Sequence, residues 1–238
     1  MIVPTLGREW ALWRSGARRV AGVDEVGMAC LAGPVVACAL VVKPYCRKIP
    51  GVRDSKTLSL PQRERLYTEI LRRAAAVGVG AASVAEINEI NILRASHLAM
   101  WRALRRVAPY DHVLIDGRDF REIDVGPHTA IIDGDALSYA IASASIVAKV
   151  TRDRLMHKLA QRHQGYGWEQ NVGYPTRDHR EAIRRLGITP HHRRAFGTVR
   201  MLSQLTLNLD FETVDVARLD SLDVVVLESE ASLEPAPV

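Results

Sequence analysis

Four acidic residues stand in positions that call for a partner. Asp24-Glu25 follows the apolar run Val-Ala-Gly-Val and precedes Gly27. Asp116 closes the run His112-Val-Leu-Ile115 and precedes Gly117, and Asp135 follows Ile131-Ile132 within Asp-Gly-Asp. A carboxylate at the end of a buried strand is costly unless a cation or hydrogen-bond donors compensate it. Acids at strand ends that converge on one edge of a sheet form an all-oxygen site. With no Cys or His at ligand spacing, such a site suits Mg²⁺ or Mn²⁺ rather than zinc. Taken singly, each acid also fits a cap or a turn former. Successive strand residues face opposite ways, so Asp24 and Glu25 are expected to share a site only if the chain turns there, and Gly27 permits a turn.

The elements that must position these acids are legible from pattern. Leu6 to Ala17 reads as a short helix. Val20–Val23 and Val35–Val42 are β-branched runs separated by Gly27 and Gly33-Pro34, as in a strand pair. Ser59 to Gln62 has capping-box spacing with Pro61 in the first turn, and Leu66, Tyr67, Ile70, Leu71 and Ala74 form the apolar stripe of the helix that follows. Gly78–Ser83 reads as a strand, Val84–Val107 as one long helix, and His112–Ile115 and Ala130–Ile132 as further strands. From Ser138 to about His163 the pattern is helical. Ala144, Val147, Ala148, Thr151, Leu155 and Leu159 mark the inner stripe, with Lys149, Arg152 and Asp153 on another face. Ala140, Ala142, Ser143, Ala144 and Ser145 would let this helix approach a sheet closely. Thr176 caps a last clear helix that Gly187 and Pro190 end, and residues 205–227 alternate weakly enough to add strands. Strands first, then helices mixed with strands, imply an α/β layer fold with a mixed sheet.

Composition narrows the class. The chain has 238 residues, 47% hydrophobic and 25% charged, as in an ordinary globular domain. No stretch reaches the roughly 18 apolar residues of a membrane span, and the N-terminus has charges and Pro where a signal peptide needs an apolar run. Cys30, Cys38 and Cys46 match no zinc spacing and no disulfide framework, so a reducing cytoplasm is expected. Of the 32 Lys and Arg and 27 Asp and Glu, eight acids and one base fall in 205–238, leaving residues 1–204 with a net +12. That excess suits a polyanion such as nucleic acid, though a basic surface also serves solubility.

Several segments together resemble bacterial ribonuclease HII. GVDEVGMACLAGPVVACAL (22–40) is similar to that family's first motif, DE(V/A)GRG followed by LAGPV. DSKTLS (54–59), EINEINILRAS (86–96), VLIDG (113–117), GDALSYAIASASIVAKVTRDRLM (134–156) and YGWEQNVGYPTRDHREAIRRLGITPHHRRAF (166–196) follow in the family's order. The resemblance covers about residues 5–200. It implies a ribonuclease H-like fold, a mixed β-sheet flanked by helices, with a small helical C-terminal part. It also implies two-metal hydrolysis of the RNA strand of RNA–DNA hybrids, and of ribonucleotides embedded in DNA, leaving 3′-hydroxyl and 5′-phosphate ends. Carried over by motif, the catalytic, metal-binding quartet is Asp24, Glu25, Asp116 and Asp135, with Asp24 bridging. Gly27, Met28, Ala29, Lys56, Lys149 and Tyr174 would meet substrate, Tyr174 stacking on the ribose beside the DNA step. Arg193, Arg194, Ser55, Ser143 and Ser145 are further candidates for phosphate, with solvated charge or helix packing as the plainer role.

The chain departs from the pattern where the family's Gly-Arg-Gly reads Gly27-Met28-Ala29. Met28 removes a cation, and Ala29 adds a Cβ where the backbone could need positive φ. His-Lys-Gly-Tyr reads Asn171-Val172-Gly173-Tyr174, and Asp133 replaces a basic or small residue. The expectation is an active, monomeric ribonuclease H with a weakened preference for a lone ribonucleotide. A non-catalytic hybrid-binding protein and a DNA-acting nuclease of the same fold are the alternatives. Residues 1–200 are expected to form the catalytic domain and 201–238 a partly disordered acidic extension.

Overall fold

The computed structural model describes residues 2–120 and 123–208. Residues 1–206 form one compact unit, and 207–238 form a second that lies almost wholly outside the described residues. The strands read from the sequence beyond residue 208, and most of the acidic extension, therefore fall outside them as well. Leu205 and Leu207 are not in a strand: they belong to a helix, Gly197–Asn208.

In chain order the elements are α1 (Gly7–Arg14), β1 (Val20–Val26), β2 (Val35–Val41), a 3₁₀ turn (Ser55–Thr57), α2 (Leu60–Arg73), β3 (Ala76–Ala82), α3 (Val84–Ile90), α4 (Ile92–Arg105), β4 (His112–Asp116), β5 (His128–Ile131), α5 (Gly134–Leu137), α6 (Tyr139–Arg162), α7 (Trp168–Asn171), α8 (Arg177–Leu186) and α9 (Gly197–Asn208). The sheet runs β3-β2-β1-β4-β5. Its β1–β2 and β2–β3 pairs are antiparallel, and its β1–β4 and β4–β5 pairs parallel. The mixed sheet expected from the sequence is present.

Side-chain alternation divides β1 between two cores. Ala21 and Val23 join the cluster under α4, whereas Val20 joins the cluster formed with α6. Gly22 faces α6 so closely that a Cβ there would lie 2.4 Å from the Ala140 carbonyl carbon. The small residues at the start of α6 answer the same close approach, so the first three turns of α6 are buried all round. A one-sided stripe was expected, and it fails for that reason: Arg152 and Asp153 are buried, Leu155 is exposed, and Met156 takes the inner position. Leu71 of the α2 stripe is likewise exposed, while Leu66 and Ile70 are buried.

The expected long helix from Val84 is two. Asn91 takes φ 67° and accepts the Arg94 N–H at 3.1 Å, ending α3 and capping α4 in one residue. Asn tolerates the left-handed region and supplies a capping oxygen, which explains why apolar periodicity alone ran through the break. The caps read at Ser59 and Thr176 are present, the latter accepting the His179 N–H at 3.2 Å. A third core, absent from the sequence reading, gathers Leu31, Met156, Trp168, Ile183, Val199 and Leu202 under the C-terminal helices.

Candidate active site

The acids do not sit beyond the end of β1, as expected, but inside it. Asp24 pairs with Cys38 and Glu25 with Ala37, and the strand continues to Val26 before Gly27 takes φ +99°. No turn brings the two side chains to one side. They meet the other acids because β1 outruns its parallel neighbour, whose register sets Val23 beside Ile115 and so brings Asp24 level with Asp116, the last residue of β4. Asp24 shares the α6 side of the sheet with Val20 and Gly22, as Asp116 shares it with Leu114. Glu25 faces the other way at a margin that β4 no longer covers.

Local bonds fix these positions. Asp24 Oδ1 accepts the Glu25 N–H at 2.7 Å, and Ser145 of α6, near its carboxyl, favours the ionised form. Ser145 Oγ in turn lies 3.0 Å from Ser55 Oγ, tying the 3₁₀ turn to the site. Asp116 Oδ1 accepts the Gly134 N–H at 2.7 Å and thereby fastens β4 to α5, whose next residue is Asp135. Asp133 adopts the left-handed region (φ 53°) to make that bend.

The electrostatics make one group of the four. Burial, then Glu25 and Asp116, raises the Asp24 carboxyl well above the ordinary carboxylate range. Burial and Asp116 push Glu25 up to about 7, against the pull of Lys56. Asp135 is pushed up to about 6 by burial, Asp116 and Asp54. Burial works against the charge on Lys56, but Asp135, Asp54, Asp24 and Asp116 outweigh it and hold its pKa above the usual lysine value. Among the described residues no three His, Cys, Asp or Glu side chains close into a ready-made metal cluster. The carboxylates stand as repelling neighbours in one field. The donor set fits a hard divalent cation: all oxygen, on three elements, with Glu25 and Asp116 half-buried.

The other candidates separate into three groups. Lys56 faces the acids. Lys149 and Tyr174 form a second group beside them: Lys149 Nζ bonds Asp153 Oδ1 at 2.9 Å and lies 5.4 Å from the Tyr174 ring centroid. Gly27, Met28 and Ala29 make the loop between, with Met28 half-buried and Ala29 exposed. Ala29 does not take positive φ, so its Cβ brings no backbone strain. Arg193 cannot reach a phosphate, because it is fully buried beneath that loop, whereas Arg194 is exposed. Ser143 turns back to the Tyr139 carbonyl at 2.8 Å, and Ser55 and Ser145 bond each other.

Sequence reasoning overlooked Asp54, which accepts the Lys56 N–H at 2.9 Å and shares its field. The acid-Ser-Lys run was signal enough to find it. It also missed Asp153, which holds Lys149, and the buried Arg152, whose neighbours come from distant parts of the chain and leave no local trace.

With this geometry in view, comparison with known proteins is specific. The family model described as ribonuclease HII matches residues 21–199. A ribonuclease HII from Thermosynechococcus vestitus is 56% identical over 188 residues, 79% of this chain and 88% of the relative. One from Ruegeria pomeroyi is 54% identical over 204 residues, 85% of this chain and 86% of the relative. Among solved structures, the ribonuclease H2 of Pyrococcus horikoshii OT3 superposes with TM-score 0.60 at 25% identity, over 79% of this chain and 99% of that one. The ribonuclease HII seen in complex with PCNA from Archaeoglobus fulgidus gives 0.63 at 25% identity, over 74% and 93%.

Proposed function

The chain belongs to the ribonuclease HII family, and from that premise we propose that Asp24, Glu25, Asp116 and Asp135 hold the divalent metal ions with which it works. It is an endonuclease, a hydrolase that cuts the RNA strand of RNA–DNA hybrids. What supports the assignment of residues is the meeting of four acids from three elements in one repulsive field, faced by Lys56. Mg²⁺ or Mn²⁺ bound there supplies Lewis-acid stabilisation of an in-line displacement at phosphorus.

The chain's own residues do the rest. Asp24, central to the group, would be the ligand shared between the ions, and Glu25, Asp116 and Asp135 would hold them with it. Lys56 offsets charge on the phosphate that enters among them. Tyr174 packs its ring on the sugar next to the cut, with Lys149 at its face and Asp153 holding Lys149. The backbone of Gly27, Met28 and Ala29 lies along the ribose. Water adds at phosphorus, the bond to the 3′ oxygen breaks, and 3′-hydroxyl and 5′-phosphate ends result. No helix among the described residues is long and apolar enough to cross a membrane. We propose that the protein acts as a monomer in the cytoplasm.

Two measurements follow. Lys56→Ala should weaken hybrid binding alike for all sequences and lower the salt dependence of log K by about one counterion. An unchanged salt slope would remove Lys56 from the phosphate path. Second, a duplex with an all-RNA strand and one with a single ribonucleotide in DNA should both be cut. The latter should be slower by about tenfold, the worth of the one charge-assisted bond that Met28 cannot make. Equal rates would mean that the missing cation has no part in junction binding.

A further inference from the structure

Three enclosed charges link the turn that carries Lys56 to the ring of Tyr174: Arg63 of α2, and Asp153 and Lys149 of α6. Their side chains are 15%, 8% and 12% exposed, too enclosed for solvated surface charges. Asp153 Oδ1 accepts from Lys149 Nζ at 2.9 Å, and Asp153 Oδ2 lies 4.0 Å from Arg63 Nη2. One acid thus stands between two cations. Without its charge the cations would repel each other, with little water at hand to screen them.

Each end of this triad reaches a group on the substrate side. Arg63 Nη1 donates to the Leu58 carbonyl at 2.7 Å and to the Ser55 carbonyl at 3.2 Å, on either side of Lys56-Thr57. A terminal guanidinium nitrogen has two hydrogens, so this one nitrogen spans the 3₁₀ turn. Arg63 Nε is buried without a hydrogen-bond partner, so the side chain is placed for its other two nitrogens at a cost. At the far end Lys149 Nζ lies 5.4 Å from the Tyr174 ring centroid, within reach of a cation–π contact. A more exposed pair fastens the same two helices at a neighbouring point. Arg154 Nη2 bonds Glu64 Oε2 at 2.5 Å, and its guanidinium carbon stands 4.5 Å from the Tyr67 ring centroid.

We propose that Arg63 and Asp153 are positioning residues that set the Lys56 ammonium and the Tyr174 ring at a fixed spacing. Arg63 holds the turn that presents Lys56. Asp153, set against Arg63, holds Lys149 at the Tyr174 ring. The inference rests on the ribonuclease reading above, in which Lys56 meets a phosphate and Tyr174 a sugar. Neither positioning residue touches substrate. Two contacts that drift independently each lose their own freedom when nucleic acid binds, whereas contacts tied to one ion-paired strut are ordered beforehand.

The test is steady-state cleavage of an RNA–DNA hybrid with Mg²⁺ by full-length Arg63→Lys and Asp153→Asn, each made also in a background that lacks its target. Lysine keeps a charge toward Asp153 and loses the planar fork. Asparagine keeps the shape of Asp153 and loses the charge that separates two cations. Each variant should raise KM about tenfold, one charge-assisted hydrogen bond's worth, with kcat within about threefold. In Lys56→Ala the further effect of Arg63→Lys should shrink to within about twofold, and in Tyr174→Ala so should that of Asp153→Asn. An effect on KM as large without the target as with it means that the residue only supports the fold, and overturns the proposal, as does an unchanged KM in both single variants. Should either variant not fold, Lys149→Met breaks the same chain. Its effect on KM should vanish in Tyr174→Ala, and an undiminished effect overturns the proposal. A parent protein that binds hybrid and leaves it uncut defeats the ribonuclease reading itself, and the positioning role falls with it.

Discussion

Asp24→Asn is expected to cut an RNA–DNA hybrid slower by about 10³-fold or more, yet to melt above the parent protein in the presence of a chelator. The rate loss follows from removing the bridging carboxylate, since metal assistance is worth several kcal/mol of barrier. The gain in stability has its own cause. Burial, Glu25 and Asp116 all disfavour ionised Asp24. Its folded pKa therefore stands above the unfolded value, and ionisation at neutral pH penalises the folded state. Asparagine has the same shape and no charge, and its oxygen still accepts the Glu25 N–H. Relief of about 1 kcal/mol would raise Tm by about 2–4 °C in a domain of this size. The same sign holds for Glu25 and Asp135, raised to about 7 and about 6. Without divalent ions, stability should fall as pH climbs from the ordinary carboxylate range through those values. A variant that kept its rate within tenfold, or melted well below the parent, would mean that Asp24 is structural.

The second large effect belongs to Arg152. Arg152→Met fills the space but leaves the carbonyls of Ala32, Pro34 and Val172 buried without donors. At roughly 1 kcal/mol or more each, the loss should be about 3 kcal/mol in urea unfolding, softened by removal of a buried charge. Because those carbonyls join the β1–β2 loop to the segment that carries Tyr174, hybrid cleavage should fall as well. Stability unchanged within about 0.5 kcal/mol would show that the carbonyls find other donors.

Much of this was legible from the residues. The strands announced themselves as β-branched runs, the helix starts as Ser and Thr caps, and the four acids by their places after apolar runs. What the sequence hid was hidden for physical reasons. Asp24 and Glu25 read as strand-ending because carboxylates oppose burial, yet β1 carries them, since a neighbour that ends early leaves room. Asn91 read as helix interior because a single left-handed residue does not disturb apolar periodicity. Arg152 and Asp153 read as lying off the inner stripe because helical periodicity assumes one buried side, and α6 is buried on all sides over its first turns. Arg193 read as a phosphate contact or a solvated surface charge, and it is neither, being fully buried. Its partners, Met28 and Gly33, lie more than 150 residues away in the chain, and no local pattern could name them.

The measurement closest to the central claim is cleavage of an end-labelled RNA–DNA hybrid beside a DNA duplex of the same sequence, each with Mg²⁺, with Mn²⁺ and with chelator. The account predicts cutting of the hybrid's RNA strand with either ion, fragments ending in 3′-hydroxyl and 5′-phosphate, and no cutting of DNA or of anything in chelator. Cutting that persists in chelator, or that falls on the DNA duplex, would contradict it.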